Sequence, residues 1–327
     1  MAVFLALAGC RQADTPATCK RSRAVMGTFA EVTAVSLGKE VSRQAVEAAY
    51  GQLNEINDLM SDYVADSEVG RINALKAGQS MVVSDHTLYV LQQAAKLSEA
   101  TGGAFDVTCR PMVQLWKKAG SDNKMPTDQE LQTAVAKTGS SKLAIDPDAR
   151  TVTPTVDGVQ IDLGGIAKGY ALDLAVERIK AEGATGGLVD VGGDVLAFGS
   201  RSSDGSPWVI GIKHPFRTGL FGKVAINDRA IATSGLQQRF FEIDGRRYSH
   251  IIDPRTGRPV QEAPSVTVIA QSGLLADVWA TVLSVLTVED GMRLAEKRMG
   301  VEALWIWGSA EHPETAMTEG FKSCLVE

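Results

Sequence analysis

The sequence predicts an α+β fold, a single mixed α/β catalytic domain, and three observations carry that prediction. Segments of helical and of strand periodicity are mixed without a regular βαβ alternation, which argues against a doubly wound parallel sheet. Between Gly187 and Ala270 nearly every segment reads as strand and turn, as in Pro207-Trp208-Val209-Ile210-Gly211-Ile212 and Gln238 to Asp244. No internal repeat, low-complexity tract or clear linker follows residue 24, so one unit over residues 24–322 is expected.

The elements follow in order. Ala24 to Val35 alternates as a first strand, broken by Gly27. Val41, Ala45, Ala49, Leu53, Ile56 and Met60 recur at three- and four-residue spacing, the mark of an amphipathic helix. A second helix begins at Ser84 as N-cap, carries Leu88, Leu91 and Ala95 on one face and stops at Gly102-Gly103. A third opens with the capping box Thr127-x-x-Glu130. Leu143 to Asp162 reads as two or three short strands, and Ile166 to Glu182 as a helix ended by Gly183. Leu274 to Leu286 and Val288 to Met299 are the last helices, and Val301 to Trp307 the last strand.

The 327 residues are 44% hydrophobic and 22% charged, ordinary for a globular chain with a sizeable core. The net charge of −6 gives no strong footprint for nucleic acid, so no nucleic-acid partner is expected. The 32 glycines, about 10% of the chain against an ordinary ~7%, fall in doublets beside acidic residues and point to loops shaped for a ligand.

Ala2 to Gly9 is apolar but far short of the ~18 residues that span a bilayer. It ends in Leu7-Ala8-Gly9-Cys10, which resembles the lipobox of bacterial lipoproteins, where the signal is cut before the cysteine and the thiol is acylated. Residues 1–9 then form a truncated-looking signal, because no Lys or Arg precedes the apolar run, and the true start is expected upstream. Residues 10–23, with Pro16 and several Ala and Thr, are expected to be a lipidated, flexible tether to the membrane through Cys10. Cys19, Cys109 and Cys324 form no C-x-x-C pair, and His86, His214, His250 and His312 form no H-E-x-x-H motif. Any metal must therefore be held mainly by oxygen.

The stretch Ile161-Asp162-Leu163-Gly164-Gly165-Ile166-Ala167-Lys168-Gly169-Tyr170 reads as a strand end, a glycine doublet and a helix start carrying a lysine. Such a helix start can receive phosphate on its free amides, although a tight strand-to-helix turn explains the doublet equally well. It is neither G-x-G-x-x-G nor a Walker A loop. Asp277 and Thr281, four apart on one helix, share a face on which carboxylate and hydroxyl can converge on Mg²⁺, a spacing that also arises by chance. Gly102-Gly103-Ala104-Phe105-Asp106, Val191-Gly192-Gly193-Asp194 and Tyr248-Ser249-His250-Ile251-Ile252-Asp253-Pro254-Arg255-Thr256-Gly257 resemble site loops, each with an ordinary reading as a turn.

Taken together and in order, these segments resemble the ApbE family, the FAD:protein FMN transferases of bacterial envelopes. The resemblance runs from Met26-Gly27-Thr28 through Met60-Ser61-Asp62-Tyr63, Ala104-Phe105-Asp106, Asp162 to Gly169, Gly192-Gly193-Asp194, Thr233-Ser234-Gly235 and His250-Ile251-Ile252-Asp253-Pro254 to Ala276-Asp277 and Thr281. It implies Mg²⁺-dependent transfer of the FMN part of FAD to a threonine or serine hydroxyl of another protein, with AMP leaving. By position, Asp277, Thr281 and the carbonyl of Gly165 are implied as metal ligands. Met26, Tyr63, Ala104, Phe105, Asp106, Asp162, Lys168 and Ile251 are implied as contacts to the flavin nucleotide. The base that takes the hydroxyl proton is Asp277 or His250. Ala280 stands where other members have a second aspartate, and Cys109 where a small residue is expected. The implied acceptor is a flavoprotein subunit of a respiratory redox complex, and the implied location the periplasmic face of the bacterial inner membrane. Two other readings share the site: an FAD pyrophosphatase with water as acceptor, and a tethered lipoprotein that binds FAD without chemistry.

Overall fold

Met26 and Gly27 turn the chain back on itself, with φ of 53° and 68°. Two successive residues of positive φ make the tight turn whose twist suits a two-residue hairpin. What reads in the sequence as one interrupted strand is therefore two, Pro16–Val25 and Thr28–Leu37, paired from Val25↔Thr28 to Pro16↔Leu37. This also corrects the expected tether, because residues 16–23 belong to the first strand. Their backbone is fixed by the ladder and by the Tyr50 hydroxyl, which donates to Arg21 O at 2.9 Å. Lys20, Arg21 and Arg23 are residues that suit a sheet edge, where charge discourages further pairing. The computed structural model describes residues 16–202, 205–235, 240–260 and 264–326, so Cys10 and the rest of the expected signal and tether lie outside the described residues.

That hairpin begins an eight-stranded antiparallel sheet. Edge to edge it runs through Pro16–Val25, Thr28–Leu37, Gly186–Val191, Asp194–Gly199, Arg229–Ser234, Ser265–Ala270, Val301–Gly308 and Pro313–Met317. The antiparallel order and the segregated helices bear out the expected α+β class. Side chains alternate between faces, so Ala303 and Trp305 join one core while Leu304 and Ile306 join another. The first core is covered by helices Lys39–Met60, Ala167–Ala181 and Gly273–Val285. The second is covered by a small sheet, Trp208–Lys213, Leu220–Ile226 and Leu325–Val326, and by helix Glu319–Cys324. Among the described residues no helix is long and apolar enough to cross a membrane.

Helix starts that the sequence marks with a side-chain cap lie where expected. Ser84 Oγ accepts from Thr87 N ahead of Asp85–Ala100, and both bonds of the Thr127–Glu130 capping box precede Asp128–Ala136. Helix Arg110–Asp122 is absent from the sequence reading because Cys109 supplies no side-chain cap. Its available signal is Pro111 in the first turn with Met112, Trp116 and Ala119 buried at four- and three-residue spacing.

Helices Ala167–Ala181 and Gly273–Val285 cap each other. Asp277 Oδ2 accepts from Gly169 N at 3.0 Å, while Asp173 accepts from Gly273 N at 2.5 Å and Leu274 N at 3.0 Å. Each carboxylate thus meets the positive end of its neighbour. Burial lifts the Asp173 carboxyl to about 6, the two amide bonds opposing it. Because that value exceeds the unfolded one, the folded state holds the proton more tightly, and the stability this group supplies falls as pH rises between about 4 and 6. Asp173→Ala is expected to cost about 1 kcal/mol of unfolding free energy, the size of a lost N-cap. The wild-type margin over the variant in denaturant titrations should narrow across that pH interval, and an unchanged margin would contradict the assignment.

One end of the sheet collects the motifs. Val25↔Thr28, Ala30↔Val191, Val191↔Asp194 and Ser234↔Val266 place the turns at 26–27 and 192–193 and the end of strand Arg229–Ser234 side by side. Thr28 packs so closely on Gly192 that a Cβ there would lie 3.0 Å from Thr28 Oγ1.

Candidate active site

The Asp162–Gly165 turn is built by its own first residue. Asp162 N donates to Val107 O at 2.7 Å, and Asp162 Oδ1 accepts from Gly164 N at 2.8 Å. The turn sets Gly165 against the neighbouring helix, where a Cβ would lie 3.1 Å from Thr281 Oγ1 and 3.3 Å from Phe105 Cε2. Glycine here permits a close approach of backbone, hydroxyl and aromatic ring. Thr281 Oγ1 donates back to Asp277 O at 3.2 Å, keeping both residues on one helix face.

Asp277 is buried, and Lys168 Nζ lies 3.2 Å from its Oδ1. The same ammonium makes a very short ion pair with Asp194 Oδ2, and Thr233 N donates to Asp194 Oδ1 at 3.3 Å. Burial alone would lower the Lys168 pKa, but Asp277 and Asp194 outweigh it and hold the ammonium above the usual lysine value. Burial raises the Asp194 carboxyl to about 6, with Lys168 pulling it down and Asp277 pushing it up.

The helix-start expectation needs correcting. Gly169 N, one of the amides expected to receive a phosphate, is already occupied by Asp277 Oδ2. The lysine side chain, 30% exposed, is what faces solvent at this end of the helix.

A divalent cation fits the donor set. Asp277 carboxylate, Thr281 hydroxyl and the Gly165 turn present hard oxygen, which Mg²⁺ prefers. Two buried carboxylates facing one ammonium also leave net negative charge. Among the described residues no three His, Cys, Asp or Glu side chains cluster as metal ligands, so the set is a mixed one and not a carboxylate cage.

The remaining expected contacts fall into three groups. Ala104, Phe105 and Ile251 are buried, and of the three Phe105 lies against the Gly165 turn. Asp106 is buried too, but its oxygens are taken up by Ser98 Oγ, Thr108 N, Thr108 Oγ1 and Ser140 N, so it shapes the loop that carries Phe105. Met26 sits half-buried in the left-handed turn, and Tyr63 is 80% exposed with Lys117 Nζ 5.5 Å from its ring centre. Tyr63 is anchored through its neighbour, because Arg110 pairs with the Asp62 carboxylate and donates to Asp62 O at 3.1 Å. His250 is half-buried between strands Arg246–Ser249 and Ile252–Asp253. Burial, aided by Asp162 and Asp106, pushes the Cys109 thiol well above its ordinary value, so it supplies no thiolate.

Asp194 is the site residue that sequence reasoning did not assign a role. Its signal was the Gly192-Gly193-Asp194 turn, but the lysine it holds is 26 positions away and meets it only in the folded chain.

The ApbE family model matches residues 26–305. An FAD:protein FMN transferase of Vibrio cholerae is 36% identical over 303 residues, covering 90% of this chain and 89% of that protein. The apo crystal structure of the Pseudomonas stutzeri flavinyl transferase ApbE superposes with a TM-score of 0.83 at 33% identity, covering 94% of this chain and 97% of that one. The ApbE protein of Thermotoga maritima superposes at 0.86 with 32% identity, covering 95% and 100%. With a family model that spans most of the sheet and both site helices, and relatives alike over nearly their whole length, this chain belongs to the ApbE family.

Proposed function

We propose that the protein transfers FMN from FAD to a serine or threonine hydroxyl of an acceptor protein, releasing AMP, with Mg²⁺ held by Asp277, Thr281 and the Gly165 carbonyl. The observation that carries this reading is the contact of the Lys168 ammonium with the buried Asp277 beside Thr281 and Gly165, at the sheet end where the family's motifs converge. In the reaction the hydroxyl oxygen bonds to the FMN phosphorus, the bond from that phosphorus to the AMP oxygen breaks, and the hydroxyl proton goes to a base. Mg²⁺, when bound, neutralises the pyrophosphate and orients the phosphorus for in-line attack. Lys168 supplies an ammonium to the pyrophosphate oxygens. Tyr63 offers an exposed ring for stacking, and Phe105 backs the Gly165 turn. Asp277 is a poor base, since its two oxygens already receive an ammonium and an amide, and His250 is the other candidate for the hydroxyl proton. Ala280 leaves Asp277 as the sole carboxylate on that helix face.

The test is to incubate the protein with FAD, Mg²⁺ and a candidate acceptor and to weigh the acceptor. An FMN-sized mass increase is expected. FMN and AMP released without acceptor labelling would favour the pyrophosphatase reading, and bound but unchanged FAD would favour the non-catalytic one. Calorimetry should show FAD binding and no NAD binding. The acceptor class we propose is a flavoprotein subunit of a respiratory redox complex.

The lipobox supports tethering at the periplasmic face of the inner membrane through Cys10. Cys10→Ser, expressed with a full-length signal, should move the protein from the membrane to the soluble fraction. Retention in the membrane fraction at the wild-type level would remove the anchor.

A further inference from the structure

Lys168 and a divalent cation compete for the same oxygen. Asp277 Oδ2 is committed to Gly169 N, which leaves Oδ1 as the carboxylate oxygen for a cation, and Lys168 Nζ stands 3.2 Å from it. Two positive charges on one oxygen repel strongly in a buried setting, where screening is weak. The ammonium must therefore have somewhere else to rest. Asp194 Oδ2 provides that seat, and the ammonium already lies closer to it than to Asp277.

Asp194 is itself held for this purpose. Its other oxygen accepts from Thr233 N at 3.3 Å, and its backbone begins strand Asp194–Gly199 directly after the Gly192-Gly193 turn. It is buried, while the carboxylate–ammonium pair it makes points toward the Asp277 face. Removing its charge would leave Lys168, among the described residues, with Asp277 as its one buried counter-ion, on the oxygen the metal needs.

We infer that Asp194 is a positioning residue that gives the Lys168 ammonium a second seat, so that Asp277 Oδ1, which the ammonium also contacts at 3.2 Å, can be released to the divalent cation. This inference rests on the reading of Asp277 as a metal ligand. It predicts that Asp194 controls metal affinity through Lys168 and not by direct coordination. Without Lys168 there is no competitor, and the Asp194 charge should then matter little.

Free Mn²⁺ counted by electron paramagnetic resonance, on folded protein without FAD, tests this independently of turnover. Asp194→Asn should weaken Mn²⁺ binding at least tenfold, and Asp194→Glu, which keeps the carboxylate, should return it to within threefold of wild type. Lys168→Gln should tighten binding, and adding Asp194→Asn to it should change affinity less than threefold. Equal weakening by Asp194→Asn in both backgrounds would mean direct attraction or ligation by Asp194 and overturn the inference, as would wild-type affinity in Asp194→Asn alone. If Lys168→Gln fails to fold, the comparison of Asp194→Asn with Asp194→Glu still decides, because failure of Glu to rescue overturns it. Asp277→Ala separates the two levels. Wild-type Mn²⁺ affinity in that variant sinks the underlying metal site, whereas its loss together with an unaffected Asp194→Asn sinks only the role of Asp194.

Discussion

Asp277→Ala is expected to lower FMN transfer at least ~10²-fold at saturating FAD, by comparison with the removal of a single electrostatic group from a site of developing charge. The variant loses the one carboxylate on its helix face, and Thr281 with the Gly165 carbonyl are neutral donors that hold a dication poorly. The fold should survive, because Lys168 keeps Asp194 as a counter-ion and no buried charge is left alone. What is lost locally is the cap on Gly169 N, about 1 kcal/mol by analogy with other N-caps. FAD binding should weaken less than turnover, since Tyr63, Phe105 and Ile251 lie on other segments. Transfer at the wild-type rate with ordinary Mg²⁺ would falsify the metal assignment. A milder defect repaired by raised Mg²⁺ would assign Asp277 to affinity alone.

Gly169→Ala carries the second large effect, and its sign is decided by competition between two terms. Alanine is the better helix former by about 1 kcal/mol. Against this, a Cβ on Gly169 would overlap the Gly273 carbonyl of the crossing helix and come within 2.8 Å of Asp277 Cβ. A Cβ on Gly273 would in turn overlap the Gly169 carbonyl and lie 2.9 Å from Leu172 Cβ, so neither backbone has room to yield. Overpacking of this kind typically costs 1–3 kcal/mol and more where backbone must move. We expect a net loss of about 2 kcal/mol in chemical denaturation, and loss of most transfer activity, because separating the helices also pulls the Asp277–Thr281 face from the Gly165 turn. Gly51, on the exposed side of helix Lys39–Met60 with nothing near its Cβ position, is the control: Gly51→Ala should be neutral or stabilising. Equal stability of Gly169→Ala and wild type would show that the crossing tolerates a methyl group and that its glycines are not required for close approach.

Much of the molecule was legible in the chain because its signals are local. Ser84 and Thr127 cap helices with side chains three residues from the amides they serve, so their pattern survives without tertiary knowledge. The stripe Ala45, Ala49, Leu53, Ile56 and Met60 is buried as its period demands. Met26 defeats a propensity reading, since a non-glycine residue in the left-handed region is held there by the two strands it joins. Residues 16–23 read as a tether by composition, yet their pairing with the half-buried strand Thr28–Leu37 makes them sheet. Helix Arg110–Asp122 lacks a capping side chain, and its apolar face is fixed by Leu131, Ala134 and Ile243 from elsewhere in the chain.

The sequence by itself determined the α+β class, the order of most elements and, through motifs that resemble one family, which residues to look at. Those properties follow from short-range chemistry: caps, periodicity and the residue types at each motif. Only the tertiary structure decided how the site is wired. Asp277 caps the helix that carries Lys168, Asp173 returns the cap, and Asp194 shares the ammonium across 26 positions of sequence. Contacts over such separations depend on how two helices and a sheet end are packed, and packing is set by the whole core, so no local pattern encodes them.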